Sequence, residues 1–193
     1  MNAVRTIVAA CCVTSIAASA CAPQLHATAQ SDAPEQITAR LDHGYGLLND
    51  LLVNESKVSE ILAIKSVSDS TAALLKEISA TASKSLETLH ERQSSDPALD
   101  LTSTGLPMVE IDARNRISKS QTTGLLLSFS SFELRILLTQ RAACEYAWAL
   151  ASSLAALDPN AERAEAISKI ATEFDELLTR VVKQLSVASP PAT

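Results

Sequence analysis

Apolar residues in this chain recur at alternating steps of four and three, and that spacing restricts the fold more than any other feature. The first series runs Ile37, Leu41, Gly44, Leu48, Leu51, Glu55, Val58 and Leu62. A helix with 3.6 residues per turn places these positions on one face, whereas a half-buried strand requires strict alternation. A second series, Leu75, Ile78, Ala82, Leu86 and Leu89, and a last one, Ile167, Ile170, Phe174, Leu177, Val181 and Leu185, repeat the period. Only 4 glycines occur in 193 residues, and aromatics are few, so little of the chain suits a turn-rich β fold. The expectation is an all-α protein, an antiparallel four-helix bundle over residues 36–188.

Local signals divide that bundle. Pro34, followed by Glu35 and Gln36, suits the start of the first helix, where proline is tolerated and acids favour the helix dipole. The cluster Ser66, Ser68, Asp69 and Ser70 offers a turn and then an N-cap for the second helix. Asp96 to Pro107 reads as a connection. A third helical region then extends from Met108 to Leu157, which as one rod would reach about 75 Å. A break is therefore expected between Ser118 and Gly124, where Ser120, Gln121, Thr122 and Thr123 dilute the apolar face. Beyond it, Leu125 to Leu138 is apolar nearly all round and is expected to be the central, most buried element. Asp158-Pro159 reads as an N-cap followed by proline at the first position of the last helix. Pro190-Pro191 marks a disordered tail over 189–193. Glu110–Arg114, Asp112–Arg116 and Arg141–Glu145 have the i,i+4 spacing of solvated-face pairs.

The N-terminal segment carries one charge, Arg5, before an uncharged run from Thr6 to Ala20. A basic start, a short apolar middle and small residues at the end make a secretory signal, and the run is shorter than the roughly twenty residues a membrane span needs. Ala18-Ser19-Ala20-Cys21 resembles a bacterial lipobox, although Ala18 stands where leucine is commonest. The resemblance covers only these four positions. It implies a signal peptide over 1–20, lipidation of Cys21, and sorting of the anchored protein to the periplasmic face of an outer membrane. Ala27-Thr28-Ala29 is the alternative site, ending the signal at residue 29 and leaving an unanchored periplasmic or secreted chain. Residues 21–35, rich in Ala, Gln, Pro and Ser without apolar period, read as a flexible tether.

The net charge is −6, and the signal segment contributes one base and no acid, so the rest of the chain is more acidic still. Such a chain gains nothing from releasing counterions at a phosphate backbone, which excludes nucleic acid as the expected partner. Beyond Cys21 the body has one cysteine, Cys144, so no disulfide framework is expected there. In its helical setting it reads as a small buried apolar residue.

No nucleophile elbow, phosphate loop, dinucleotide fingerprint or paired-cysteine motif occurs. The residues closest to a chemistry are carboxylates. A bundle metal centre takes a Glu from each of two helices and a Glu-x-x-His from each of two others. Here Glu87-Thr88-Leu89-His90 is the single copy of the second motif. Glu55, on the first apolar seam, and Glu133, in an apolar stretch, complete the set; the competing reading is that they make buried structural contacts, with Gln140 in reach of the pair. Phe129, Phe132, Tyr146, Trp148 and Phe174 read as core rather than as the lining of a pocket. The leading expectation is a non-enzymatic interaction or scaffold module of the cell envelope, anchored by Cys21, without cofactor, and able to engage a protein partner or a second copy. The alternatives are a ferritin-like metal protein using Glu55, Glu87, His90 and Glu133, and a periplasmic ligand-sensing module.

Overall fold

The computed structural model describes residues 34–127 and 132–188. The signal segment, Cys21, most of the tether, Phe129 and the 189–193 tail lie outside the described residues. Five helices account for nearly all the rest: α1 (Pro34–Glu55), α2 (Asp69–Ser95), α3 (Met108–Leu127), α4 (Phe132–Leu157) and α5 (Ala161–Ala188). A 3-10 segment, Val58–Ala63, joins α1 to α2. No strand occurs among the described residues.

On α1 the buried side chains are Leu41, Tyr45, Leu48, Leu52 and Glu55, a strict alternation of four and three. This face is turned from the one expected: Tyr45 and Leu52 take the inward positions in place of Gly44 and Leu51. Gly44 has no side chain to bury, and a Cβ there would lie 2.6 Å from Leu154 of α4, so it serves as a point of close approach. The helix also stops earlier than the apolar series suggests. It ends at Glu55, and Val58 and Leu62 belong to the 3-10 segment. The Ser79 hydroxyl of α2 donates to the Ser56 carbonyl, occupying an acceptor that the helix end leaves free.

Ser68 caps α2, accepting from the backbone N–H of Thr71 at 3.3 Å. The α2 core face is Leu74, Leu75, Ile78, Ala82 and Leu89. The segment from Asp96 to Pro107 is more than a connection. Leu99 and Leu101 are each only 3% exposed and join the main core. The Gln93 side-chain amide donates to the Leu99 carbonyl, and the Asp100 amide N–H donates to Asp42.

Helix α3 corrects one expectation. It is helical through 118–124, so the break is not there. Polar residues and one glycine weaken an apolar face, but they do not interrupt a helix that has little face to bury; Gly costs only about 1 kcal/mol relative to Ala. From Asp112 to Thr123 every residue is exposed. The substantial packing of α3 is on α4 alone, and Leu125 near its end joins a small second core of Leu75, Phe132 and Ile136.

The described residues of the stretch expected to be most buried, Leu125–Leu138, are not uniformly buried. Arg135 is exposed and Leu138 is 50% exposed. The buried stripe of α4 instead continues through Leu137, Gln140, Cys144, Ala147, Ala151 and Leu154. It shares a core with Ile167, Ile170, Phe174, Leu177 and Val181 of α5, and among the described elements α4 and α5 make the most extensive contact. Ala147 and Ala151 of α4 are fully buried in the same core as Phe174 and Leu177 of α5, and small residues on a helix face let a neighbouring helix approach closely. α1 packs on α2 and α4, and α2 also on α5. Across the α2–α5 seam run three ion pairs: Glu77 with Arg180, Lys84 with Glu173 at 2.6 Å, and Arg92 with Glu162. Solvent screens such pairs, so they select register more than they stabilise.

Candidate functional site

Three polar centres are built into the helical body. The first joins α1 to α4. Glu55, the last residue of α1, has 9% of its surface exposed, and the Gln140 side chain is its polar neighbour on α4. Gln140 is 2% exposed. Cys144, one turn further along α4, is fully buried and lies within the electrostatic reach of the carboxyl. Oε2 of Glu55 and Oε1 of Gln140 are both buried and make no hydrogen bond. Burial pushes the Glu55 carboxyl up to about 7, the nearby Gln140 amide acting in the opposite sense. Burial and the neighbouring carboxyl push the Cys144 thiol up to about 12, so it is an inert, protonated thiol, as its sequence context suggests.

The second centre holds the connection before α2. The Ser68 hydroxyl donates to Glu133 Oε1 at 2.5 Å, the Thr71 hydroxyl to the same oxygen at 2.6 Å, and the Ser68 N–H to Oε2 at 3.3 Å. Burial works against the Glu133 charge, but these donors outweigh it and hold the carboxyl below its ordinary range. Glu133 thus ties α4 to the first turn of α2 and does not face Glu55.

The third centre has no motif in the sequence to announce it. Asp158, with no exposed side-chain surface, accepts from the Tyr45 hydroxyl at 2.5 Å and from Arg163 Nε at 2.5 Å and Nη2 at 2.8 Å. Arg163 Nη1 reaches Asp96 at 2.5 Å, and its guanidinium carbon lies 5.6 Å from the centre of the Tyr45 ring. One arginine therefore joins α1, the end of α2 and the start of α5. The expected cap at Asp158 is displaced by two residues. Asn160 Oδ1 accepts from the Arg163 N–H, Asp158 accepts from the Asn160 N–H, and Pro159 lies ahead of the helix. Burial opposes the Asp158 charge, but Arg163 and Tyr45 prevail and lower its titration. Burial and the Asp158 carboxylate raise that of Tyr45.

The carboxylates considered for metal binding are dispersed. Glu55 turns to Gln140 and Glu133 to Ser68 and Thr71, while Glu87 and His90 are exposed on α2. Among the described residues no group of three or more His, Cys, Asp and Glu side chains is placed to hold a metal ion. The aromatic residues are equally scattered. Phe132 lies in the second core and Phe174 in the main one, whereas Tyr146 and Trp148 are about two-fifths exposed. Trp148, with Ser152 and Ala155 of α4, borders an open groove of about 960 Å³ whose other wall is Ala164, Ser168 and Thr172 of α5.

No protein-family model, curated protein or solved structure matches this chain. No helix among the described residues is long and apolar enough to cross a membrane.

Proposed function

We propose that this chain is an exported helical-bundle protein, anchored through a lipid on Cys21, that serves as a non-enzymatic interaction or scaffold module in the bacterial cell envelope. In this reading α1, α2, α4 and α5 form an antiparallel four-helix bundle. The pairs Glu77–Arg180, Lys84–Glu173 and Arg92–Glu162 support it, because residue numbers rise along α2 as they fall along α5. The contacts Gly44–Leu154 and Glu55–Gln140 do the same for α1 and α4.

The observation that carries the interaction role is α3. A helix that is polar nearly all round, with Val109 80% and Ile117 57% exposed, contributes little to the core. Such helices persist in proteins where they bridge to something else or are held by charge pairs. Here one pair, Glu110–Arg114 at 2.9 Å, lies on α3. The export role rests on the basic start, the apolar run and the lipobox-like Ala18-Ser19-Ala20-Cys21.

Two measurements test the two halves of this reading. Mass spectrometry of the mature N-terminus is expected to find a diacylated Cys21, and Cys21→Ser is expected to release the protein from membranes. A chain starting at Gln30 without lipid would end the anchor. A photo-crosslinking residue at position 117 is expected to trap one defined envelope protein or a second copy in cells, whereas one at the exposed position 169 of α5 does not. Equal or absent labelling at the two positions would end the role assigned to α3.

A further inference from the structure

From Asp112 to Thr123 helix α3 is exposed throughout, yet its side chains follow a pattern. Val109, Ala113 and Ile117 succeed one another at steps of four and therefore share a face, on which Val109 is 80% and Ile117 57% exposed. Ser120 continues the same stripe, and with Ala113 it supplies small side chains over which another helix can approach closely. Two branched apolar side chains left in water gain free energy from any surface that covers them. The charges beside them say what that surface is.

The charged residues of α3 run in the order Glu110, Asp112, Arg114, Arg116 and Lys119, acids toward its N-terminal end and bases after them. Glu110 and Arg114 satisfy each other at 2.9 Å. Asp112 and Arg116 have the spacing of a helical pair, but no ion pair among the described residues involves Asp112, Arg116 or Lys119. Asp112 and Lys119 stand two turns apart along one edge of the apolar stripe. That order is self-complementary about a two-fold axis. An antiparallel second α3 crossing between Asn115 and Arg116 brings the second copy's Lys119 level with Asp112, since each lies about 5 Å along its helix from the crossing point. Symmetry forms the pair twice, and the second copy's Arg116 stands beside the same acid. In this register Val109 meets the second copy's Ser120, and Ala113 the stem of its Arg116. A parallel pairing would set Asp112 against Asp112 and Lys119 against Lys119, which like-charge repulsion opposes. Two acids among three bases also leave α3 without the single-signed field that an anionic membrane or nucleic acid requires.

We propose that α3 is a dimerisation helix: two copies of this chain pair through antiparallel α3 helices, covering Val109, Ala113 and Ile117 and setting Asp112 of each copy against Lys119 and Arg116 of the other. The proposal rests on the reading of α3 as the interaction element and names a second copy as its partner. The same patch serves both copies, so the assembly closes at two. One helix from each copy is a small interface, so association is reversible and weakens as salt screens the charge pairs.

Sedimentation velocity of the full mature chain, over a range of concentrations at low and high salt, is expected to show a monomer–dimer equilibrium that weakens as salt rises. Asp112→Lys and Lys119→Asp each set like charges against one another across the axis, and each is expected to weaken the dimer about tenfold or more. Both positions are exposed, so both variants should keep the helical circular dichroism and the melting temperature of the wild type. Mixed in equal amounts, the two variants are complementary at both 112–119 pairs, and the dimer is expected to return as a heterodimer. A wild type that stays monomeric, a dimer that neither reversal weakens, or a mixture no tighter than its separate components would overturn the proposal. The photo-crosslink at position 117 separates this failure from that of the broader reading. A different envelope protein trapped there, with the purified chain monomeric, would end the dimer and keep α3 as an interaction surface; no product at all would end both.

Discussion

Asp158 has no exposed side-chain surface, yet its two oxygens receive the Tyr45 hydroxyl, a two-pronged contact from Arg163 and the Asn160 amide. Removing its charge leaves Arg163, itself 11% exposed, without its main partner. Losing one member of a buried pair costs about 3–5 kcal/mol. Asp158→Asn is expected to fall at the low end of that range, because Asp96 still holds one guanidinium nitrogen. Tyr45→Phe should cost less, about 1.5–3 kcal/mol, since a single charge-assisted bond is lost. Urea denaturation of both variants checks the order; a Tyr45→Phe effect as large as that of Asp158→Asn would mean that the hydroxyl, not the arginine, anchors the centre. In the sequence Asp158 has the signature of a helix cap, because Asp-Pro before an acidic turn is a local pattern. Its real partners lie 113 residues away at Tyr45 and across a turn at Arg163, and no local pattern encodes the first of these. Glu55 was legible as an oddity, a carboxyl on an apolar seam. That its counterpart is Gln140 rather than Glu133 depends on which faces of α1 and α4 meet.

Elements here are held together as much by what is missing as by side chains. A Cβ on Gly46 would stand 2.2 Å from the Ser103 carbonyl oxygen, so α1 and the segment before α3 touch backbone to backbone. Gly105, at φ 62°, would place a Cβ 2.2 Å from the His43 ring. Both glycines allow the chain carrying Leu99 and Leu101 to lie flat on α1. Gly46→Ala is expected to destabilise by about 1–3 kcal/mol, the range for overpacking a tight contact, despite the higher helix propensity of Ala. Thermal unfolding reads this directly, and a stabilised variant would show that the segment yields without cost. In the sequence, 96–107 has the turn residues of a surface connection, and that reading missed two core leucines. Two isolated leucines have no period, so periodicity arguments cannot see them. The same limit explains the misplaced break in the third helical region: composition locates where an apolar face fades, not where a backbone turns.

At the scale of the whole molecule, opposing titrations set the pH dependence of stability. Glu55 is raised in the folded state, from 4.5 to about 7. Its contribution is therefore complete below its unfolded value and is lost as pH climbs through about 7, a change on the order of 3 kcal/mol. Asp158 and Glu133 are lowered, so theirs is present above the unfolded carboxylate range and lost as pH falls through their folded values. The two limbs place maximum stability on the acidic side of neutrality. Denaturation midpoints measured from pH 3 to 9 should peak near pH 5 and decline toward 8; a plateau from 5 to 8 would contradict the assignment of Glu55. By itself the sequence determined that the body is helical, because an apolar step of four and three over long stretches with few glycines buries a face only as α-helix. It also determined the connection before α2 and the turn ahead of α5, where Ser, Asp and Pro act through neighbouring backbone groups. Only the tertiary structure decided that α3 stands apart while α4 and α5 share the core, that Tyr45 and Leu52 rather than Gly44 and Leu51 face inward, and which buried polar groups meet. Those outcomes depend on the rotation of each helix about its axis, and that is set by how side chains far apart in sequence fill a common space.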